Sequence, residues 1–178
     1  MNVLRISILV TKKEILISLL LPIFAWIILP IILFLIIDLN LFRNFLNFNL
    51  ILIIFGISLI ILALILFIKC NLVFIKIGKG TLMPISKIET KQLVIKGPYR
   101  YIRNPMIISV IVVIFGESLI VSSPSIMLWA ILFFIGNIIY FPLIEEKHLE
   151  QKFGEEYITY KKNVRAWIPR LKPYRLKI

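Results

Sequence analysis

The stretch KGPYRYIRNPMIISVIVVIFG, residues 96 to 116, changes from bases, aromatics and turn-forming residues to an almost wholly apolar run. Asn104 and Pro105 stand at the change. Asn is favoured just before a helix and Pro at its first position, so the pair predicts that a helix begins here. The start of a helix also presents free backbone N–H groups and the positive end of the helix dipole. The same residues can therefore begin a helix and bind a carboxylate.

The whole chain is too apolar for a soluble domain. Its 178 residues are 60% hydrophobic, whereas roughly half is usual for globular proteins. The single cysteine, Cys70, excludes an internal disulfide, and with the single histidine, His148, it leaves too few ligands for a usual zinc centre. The composition therefore predicts an integral membrane protein without a metal site.

Four apolar segments are predicted to cross the membrane: 14–37, 50–68, 106–121 and 126–144. At about 1.5 Å per residue, the first can cross a hydrocarbon core of roughly 30 Å with some tilt. The first is too long for the core of a signal peptide, so we interpret it as a retained span. Glu117 lies inside the third, where a carboxylate should face the bundle or a cavity rather than lipid.

The predicted fold class is all-α, an integral membrane helical bundle with about four main transmembrane helices and a cytoplasmic C-terminal helical segment. We interpret residues 1–178 as a single domain with a cytoplasmic loop at 69–105 and a cytoplasmic tail at 145–178. The loop has eight Lys or Arg against one Glu, and the tail has nine against five. Residues 38–49 carry no net charge. Because basic segments stay in the cytoplasm, both termini are predicted to lie there.

Two adjacent carboxylates, Glu145 and Glu146, stand where the fourth span is predicted to end. In a solvated helix turn, acidic residues are stabilised by basic partners four residues further along. Glu146 has Glu150 at that spacing instead. A carboxylate at this boundary can accept hydrogen bonds from ribose hydroxyls or from an ammonium group. The pair is therefore a candidate binding feature.

The segments LVIKGPYRYIRNPM (93–106) and EEKHLEQKFGEEYITYKK (145–162), separated by a helical hairpin and followed by WIPR (167–170), resemble the isoprenylcysteine carboxyl methyltransferase family and its prokaryotic relatives. The resemblance extends over residues 78–170. It implies a small helical membrane enzyme that uses S-adenosylmethionine at its cytoplasmic face. It also implies a lipophilic acceptor that enters sideways from the bilayer.

The resemblance carries cofactor-binding roles onto ten positions of this chain. These are Lys91, Gln92, Leu93, Val94, Tyr99, Asn104, Pro105, Met106, Ile107 and Glu145. Many relatives have His in place of Asn104 and Tyr in place of Ile107, and some have Arg in place of Ala166. No catalytic acid or base is assigned, because a carboxylate acceptor is already an anion at pH 7.

The expected function is methyl transfer to a lipophilic small molecule or a lipidated acceptor, such as the carboxylate of an isoprenylated cysteine. N-methylation of a phosphatidylethanolamine-type lipid and S-methylation of a small thiol are alternatives, and a nicotinamide-dependent membrane reductase is disfavoured by the short chain. The non-enzyme alternative is a basic membrane protein that binds anionic lipid through residues 69–105. It predicts no affinity for an adenosyl cofactor. Membrane lipid, and not nucleic acid, is the expected partner of the basic segments.

Overall fold

The structure, a computed structural model, describes residues 23–42, 49–78 and 92–175. These residues form five helices: α1 (Phe24–Leu41), α2 (Leu50–Ile77), α3 (Pro105–Ile120), α4 (Pro124–Phe153) and α5 (Glu155–Asn163). Helices α1, α2 and α4 are each long and apolar enough to cross a membrane, and α3 is a shorter apolar helix. The predicted all-α membrane bundle is therefore confirmed.

The helices extend further than the apolar segments that predicted them. Helix α2 continues to Ile77, so residues 69–77 are helical although the sequence assigned them to the cytoplasmic loop. Helix α4 continues to Phe153 through a π-helical turn at Phe141–Glu145, which contains Pro142. Basic and acidic side chains end the part of a helix that can lie in hydrocarbon, but they do not end its backbone hydrogen bonds. The start of the predicted first span lies outside the described residues, and α1 ends at Leu41.

Helices α2 and α3 pack closely because each has a glycine at their crossing. A Cβ atom on Gly56 would lie 2.6 Å from the carbonyl oxygen of Gly116. A Cβ atom on Gly116 would lie 2.9 Å from the carbonyl oxygen of Gly56. Small residues at such crossings let helix backbones approach in membranes. Helix α3 thus lies inside the bundle, and it contributes Val110 and Ile114 to the buried core.

The outer face of α4 is apolar and exposed. Large side chains that are about half-exposed along it include Leu128, Ile131, Leu132, Ile135, Ile139 and Leu143. Such a face is unfavourable in water and suits hydrocarbon, where the helix satisfies its own backbone groups. These side chains are the expected lipid contacts of the helix.

A buried carboxylate, Asp38, joins the end of α1 to the start of α4. The hydroxyl groups of Ser123 and Ser125 both donate hydrogen bonds to it, the latter over 2.8 Å, and the Ser125 amide donates a third over 3.3 Å. The Ser123 hydroxyl also accepts from the Ile126 amide over 3.0 Å and so caps α4. This end of the bundle is therefore fixed by one carboxylate and two serines.

Beyond α5 the chain runs back across the turn that precedes α3. Four backbone hydrogen bonds join the two segments: Arg103 N to Arg165 O (3.0 Å), Asn104 N to Ala166 O (3.3 Å), Arg170 N to Tyr101 O (2.9 Å) and Tyr174 N to Arg100 O (2.9 Å). The C-terminal segment, residues 164–175, is thereby held over the sequence motif that begins α3.

Candidate functional site

Asn104 and Pro105 begin α3 as the sequence predicts, but Asn104 does not cap it. Asn104 occupies the position before the helix with φ −116° and ψ 51°, and its side chain accepts no hydrogen bond from the first turn. Its Nδ2 atom is buried and has no hydrogen-bond partner among the described residues. The amides of Met106 and Ile107 belong to the first turn, where a helix provides no backbone acceptor. The start of α3 therefore presents several donors in one place.

An ion pair that the sequence did not predict fixes this turn to α4. Arg103 Nη1 lies 2.9 Å from Glu146 Oε1, and the two side chains are only 11% and 5% exposed. The Nε atom of Arg103 is also buried, without a hydrogen-bond partner in the described parts of the chain. Because Arg103 precedes Asn104 and Glu145 precedes Glu146, this pair brings two predicted parts of the site to the same end of the bundle.

A lysine from another helix lies between Glu146 and Glu150, the two carboxylates that face each other along α4. Lys161 Nζ lies 2.8 Å from Glu146 Oε2 and 2.8 Å from Glu150 Oε1. The cation comes from α5 rather than from one turn along α4, so helical spacing could not predict it. It reaches the carboxylates because Gly154, with φ 55°, turns the chain between the two helices. That backbone conformation is readily adopted by glycine alone.

A cluster of tyrosines packs α5 beneath the turn. Tyr157 and Tyr160 are buried with Ile95 and Val164, and the Tyr160 hydroxyl donates to the Tyr99 carbonyl over 2.6 Å. Burial raises the pKa of Tyr157 to about 12, with a smaller contribution from the Glu146 charge. Burial likewise raises the pKa of Tyr160 above its ordinary value. These phenols are therefore neutral at physiological pH, and they hold the turn in place.

The other predicted positions divide into buried and accessible ones. Val94 and Tyr99 are buried with Cys70 of α2, and the Tyr99 ring packs edgewise on Phe74 with centroids 4.9 Å apart. Leu93 and Glu145 are half-buried and Gln92 is exposed. Lys91 lies outside the described residues. The structure thus brings Asn104, Pro105, Met106 and Ile107 together, while it places Val94 and Tyr99 behind them in the core.

An apolar cleft of about 620 Å³ lies beside the start of α3. Its lining includes Leu66 and Ile108 of the two packed helices, Pro105 at the start of α3, and Trp167 and Pro169 of the C-terminal segment. Lys69 also lines it and is the only charged side chain among its lining residues. Because Pro105 is shared, the cleft and the uncapped helix start are neighbours. The cleft can hold an apolar group next to the polar donors.

The sequence model of the phospholipid methyltransferase family matches residues 51–156. The chain belongs to the phospholipid methyltransferase family. The match begins in α2 and ends in α5, so it includes the turn at 97–104, the helical hairpin and the Glu145–Glu146 pair. No curated protein and no solved structure matches the chain.

Membership in the phospholipid methyltransferase family confirms the resemblance at the level of the membrane methyltransferase superfamily. Members of this family act on lipophilic or lipid substrates, and the apolar helices agree with an integral membrane protein. The described residues contain no group of three or more His, Cys, Asp or Glu that could hold a metal ion. The candidate site is therefore a set of hydrogen-bond donors and carboxylates beside an apolar cleft.

Proposed function

We propose that the protein transfers a methyl group from S-adenosylmethionine to a lipophilic acceptor at the cytoplasmic face of a membrane. The family membership supports methyl transfer. The excess of bases in residues 69–105 and 145–178 supports a cytoplasmic position for both termini and for the site.

The observation that carries the proposal is the uncapped start of α3. A buried donor without a partner costs about 1–3 kcal/mol, and Asn104 Nδ2 is such a donor in the described structure. The free amides and the dipole of α3 add further attraction for an anion. S-adenosylmethionine has a carboxylate that these donors would satisfy, so the residues present fit the cofactor.

Four of the other predicted residues would contact further parts of the same molecule. Glu145 can accept hydrogen bonds from ribose hydroxyls or from an ammonium group. The half-buried side chains of Leu93, Met106 and Ile107 offer apolar contact. Tyr99 and Val94 would support these contacts from behind, because both are buried.

When bound, the cofactor supplies an electrophilic methyl group attached to a sulfonium. The contribution of this chain is to hold the two reactants in contact, which removes much of the entropic part of the barrier. The cleft beside Pro105 would orient the acceptor and keep water away from the methyl group. A carboxylate acceptor needs no base, whereas an amine or a thiol must also lose a proton.

Two acceptor classes are supported by different observations. The motifs that resemble isoprenylcysteine carboxyl methyltransferases favour the carboxylate of an isoprenylated cysteine or a similar group. The family match favours the headgroup of a phospholipid, with N-methylation as the reaction. A small thiol is a third candidate acceptor, but it has less apolar surface with which to fill the cleft.

Calorimetric titration of S-adenosylmethionine into the detergent-purified protein tests the cofactor assignment. Binding to the wild type should weaken by at least ~1 kcal/mol in the Asn104→Ala and Glu145→Gln variants, because each loses a charged or buried hydrogen bond. Asp38→Asn, at the opposite end of the bundle, is the matched control and should bind normally. Absence of binding to folded wild-type protein would overturn the proposal.

A further inference from the structure

We propose that the C-terminal segment lies in the membrane interface, where Ile168 and Leu171 contact acyl chains and the flanking cations bind anionic phospholipid headgroups. The inference goes beyond the proposed function and does not depend on methyl transfer, because it concerns how this segment lies against the bilayer. The partner of the surface is the anionic phospholipid of the adjoining leaflet.

The first observation is the depth at which Trp167 packs. Its ring lies edgewise against the rings of Phe134 and Phe141 of α4, with centroids 5.7 Å apart in both contacts. These two phenylalanines lie eleven and four residues before Glu145, the first charged residue after the apolar span. At about 1.5 Å per residue, they are roughly 16 and 6 Å inside that boundary along the helix. Trp167 therefore lies beside the part of α4 that is expected to be in hydrocarbon.

The second observation is that the residues after Trp167 expose apolar side chains. Ile168 is 59% exposed and Leu171 is fully exposed. Apolar surface of this kind is unfavourable in water and favourable against acyl chains. Phe134, which contacts Trp167, is itself exposed on α4. The apolar outer face of α4 thus continues onto the C-terminal segment, and a bilayer that covers the one also reaches the other.

The backbone of the segment is suited to this position. Non-helical backbone at membrane depth must satisfy its polar groups within the protein. The four backbone hydrogen bonds to the turn before α3 satisfy part of this requirement. Pro169 and Pro173 have no N–H group to satisfy. Arg100 Nε also donates to the Tyr174 carbonyl over 2.8 Å, so the segment is bound to the bundle along its length.

The charges of the segment indicate which lipid it binds. Residues 164–175 contain four bases and no acid, and Arg165, Lys172 and Arg175 are exposed. A base at the bilayer surface contributes a roughly fivefold preference for anionic headgroups. A second copy of the chain, bound symmetrically at the same surface, would bring like charges together. The charges therefore favour a leaflet that contains an anionic phospholipid such as phosphatidylglycerol.

A fluorescent probe attached to Leu171→Cys tests the position of the segment. Cys70 is the only native cysteine and is fully buried, so a thiol-reactive probe labels the introduced cysteine selectively. The full-length protein is placed in nanodiscs of phosphatidylcholine, alone or mixed with phosphatidylglycerol. Quenching is measured with iodide in the water and with lipid that carries a nitroxide near its headgroup. Thr159→Cys, at an exposed position of α5, is the matched control.

In discs that contain phosphatidylglycerol, the nitroxide lipid should quench the probe at least about threefold more strongly at position 171 than at position 159. Iodide should show the reverse order. In phosphatidylcholine alone, lipid quenching at position 171 should fall at least about twofold, because the electrostatic attraction is lost. Lys172→Gln combined with Arg175→Gln should cause a similar fall in discs with phosphatidylglycerol. Ile168→Cys provides an independent probe position if labelled Leu171→Cys protein does not fold.

Three results would overturn the inference. Iodide quenching of equal strength at positions 171 and 159, without lipid quenching, would mean that the segment lies in water. Protection of position 171 from both quenchers would mean that protein, such as a second copy of the chain, covers this surface. Lipid quenching that is unchanged by phosphatidylglycerol and by loss of Lys172 and Arg175 would exclude binding of anionic headgroups.

Discussion

Two buried carboxylates lie at opposite ends of the bundle, and their partners differ. Asp38 is fully buried and receives three hydrogen bonds from Ser123 and Ser125, which are neutral. Glu146 is 4% exposed and is paired with the cations of Arg103 and Lys161. Both carboxylates join elements that are distant in sequence.

The two carboxylates differ in whether the groups around them have hydrogen-bonding capacity that the fold does not use. Around Asp38 the Ser123 hydroxyl donates to the carboxylate and accepts from the Ile126 amide, so its hydrogen-bonding capacity is used within the fold. Around Glu146 the Arg103 side chain retains a buried Nε without a partner in the described residues, and Asn104 retains Nδ2. The first end is a structural junction, and the second has donors available to a ligand.

The largest expected effect is that of Glu146→Ala. It leaves Arg103 buried without a counter-charge, which typically destabilises a protein by about 3–5 kcal/mol. We expect a loss of that order in the free energy of unfolding, together with weaker binding of S-adenosylhomocysteine. Chemical unfolding in detergent and calorimetry measure the two effects. Normal stability would mean that the ion pair does not hold α4 to the turn.

Asp38→Ala should destabilise the protein by ~2–3 kcal/mol, because it leaves the serine hydroxyls and one amide without their buried acceptor. Unlike Glu146→Ala, it should leave the ligand affinity of the folded fraction unchanged. Asp38→Asn, which retains one acceptor oxygen, should cost less. Reduced ligand affinity in folded Asp38→Asn would contradict the separation of the two ends.

Gly56→Ala should destabilise the bundle by about 1–3 kcal/mol, because overpacking a close contact forces displacement of the backbone. The added Cβ would lie 2.6 Å from the Gly116 carbonyl oxygen. Gly136→Ala is the control, since a Cβ there has nothing within 4 Å, and it should be neutral or slightly stabilising. Equal stability of the two variants, measured by thermal unfolding, would refute the close packing of α2 and α3.

The smallest expected effect concerns alkaline pH. Hydrogen bonds to Glu146 and Glu150 raise the pKa of Lys161 above its ordinary value of 10.5, and burial raises that of Tyr157 to about 12. The folded state therefore binds more protons than the unfolded state in this range, so stability falls as pH rises through it. Lys161→Arg keeps its charge and should show a shallower decline of the unfolding temperature between about pH 9 and about pH 12. If the unfolding temperatures of the wild type and Lys161→Arg fall in parallel over this pH range, the ion pairs of Lys161 do not contribute to the decline.

The sequence predicted the helices more accurately than the contacts of the candidate site. The Asn104-Pro105 pair predicted the start of α3 within one residue, because helix starts depend on the local backbone. Hydropathy did not predict the ends of α2 and α4, since a helix continues beyond the hydrocarbon region. The helix start was predicted with a capping Asn104 side chain, which the structure does not show.

Contacts that depend on tertiary folding were not predictable from spacing. Asp38 and Ser123 are 85 residues apart in the chain, and Arg103 meets Glu146 only because the hairpin of α3 and α4 returns the chain to the same end. The sequence motifs nevertheless contained both Arg103 and Glu146. The motifs do not show which residues pair in the folded chain. Without those pairs, a donor that is already hydrogen-bonded within the fold cannot be distinguished from a donor that is available to a ligand.

Transfer of a labelled methyl group tests the central claim most directly. Membranes that contain the protein are incubated with S-adenosylmethionine labelled in its methyl group, and label is measured in the lipid extract. We predict label in the extract with the wild type, a fall of at least about tenfold with Asn104→Ala, and retained transfer with Asp38→Asn in proportion to its folded amount. No label above that of protein-free membranes, with wild-type protein that is folded and binds the cofactor, would contradict methyl transfer to a lipophilic acceptor.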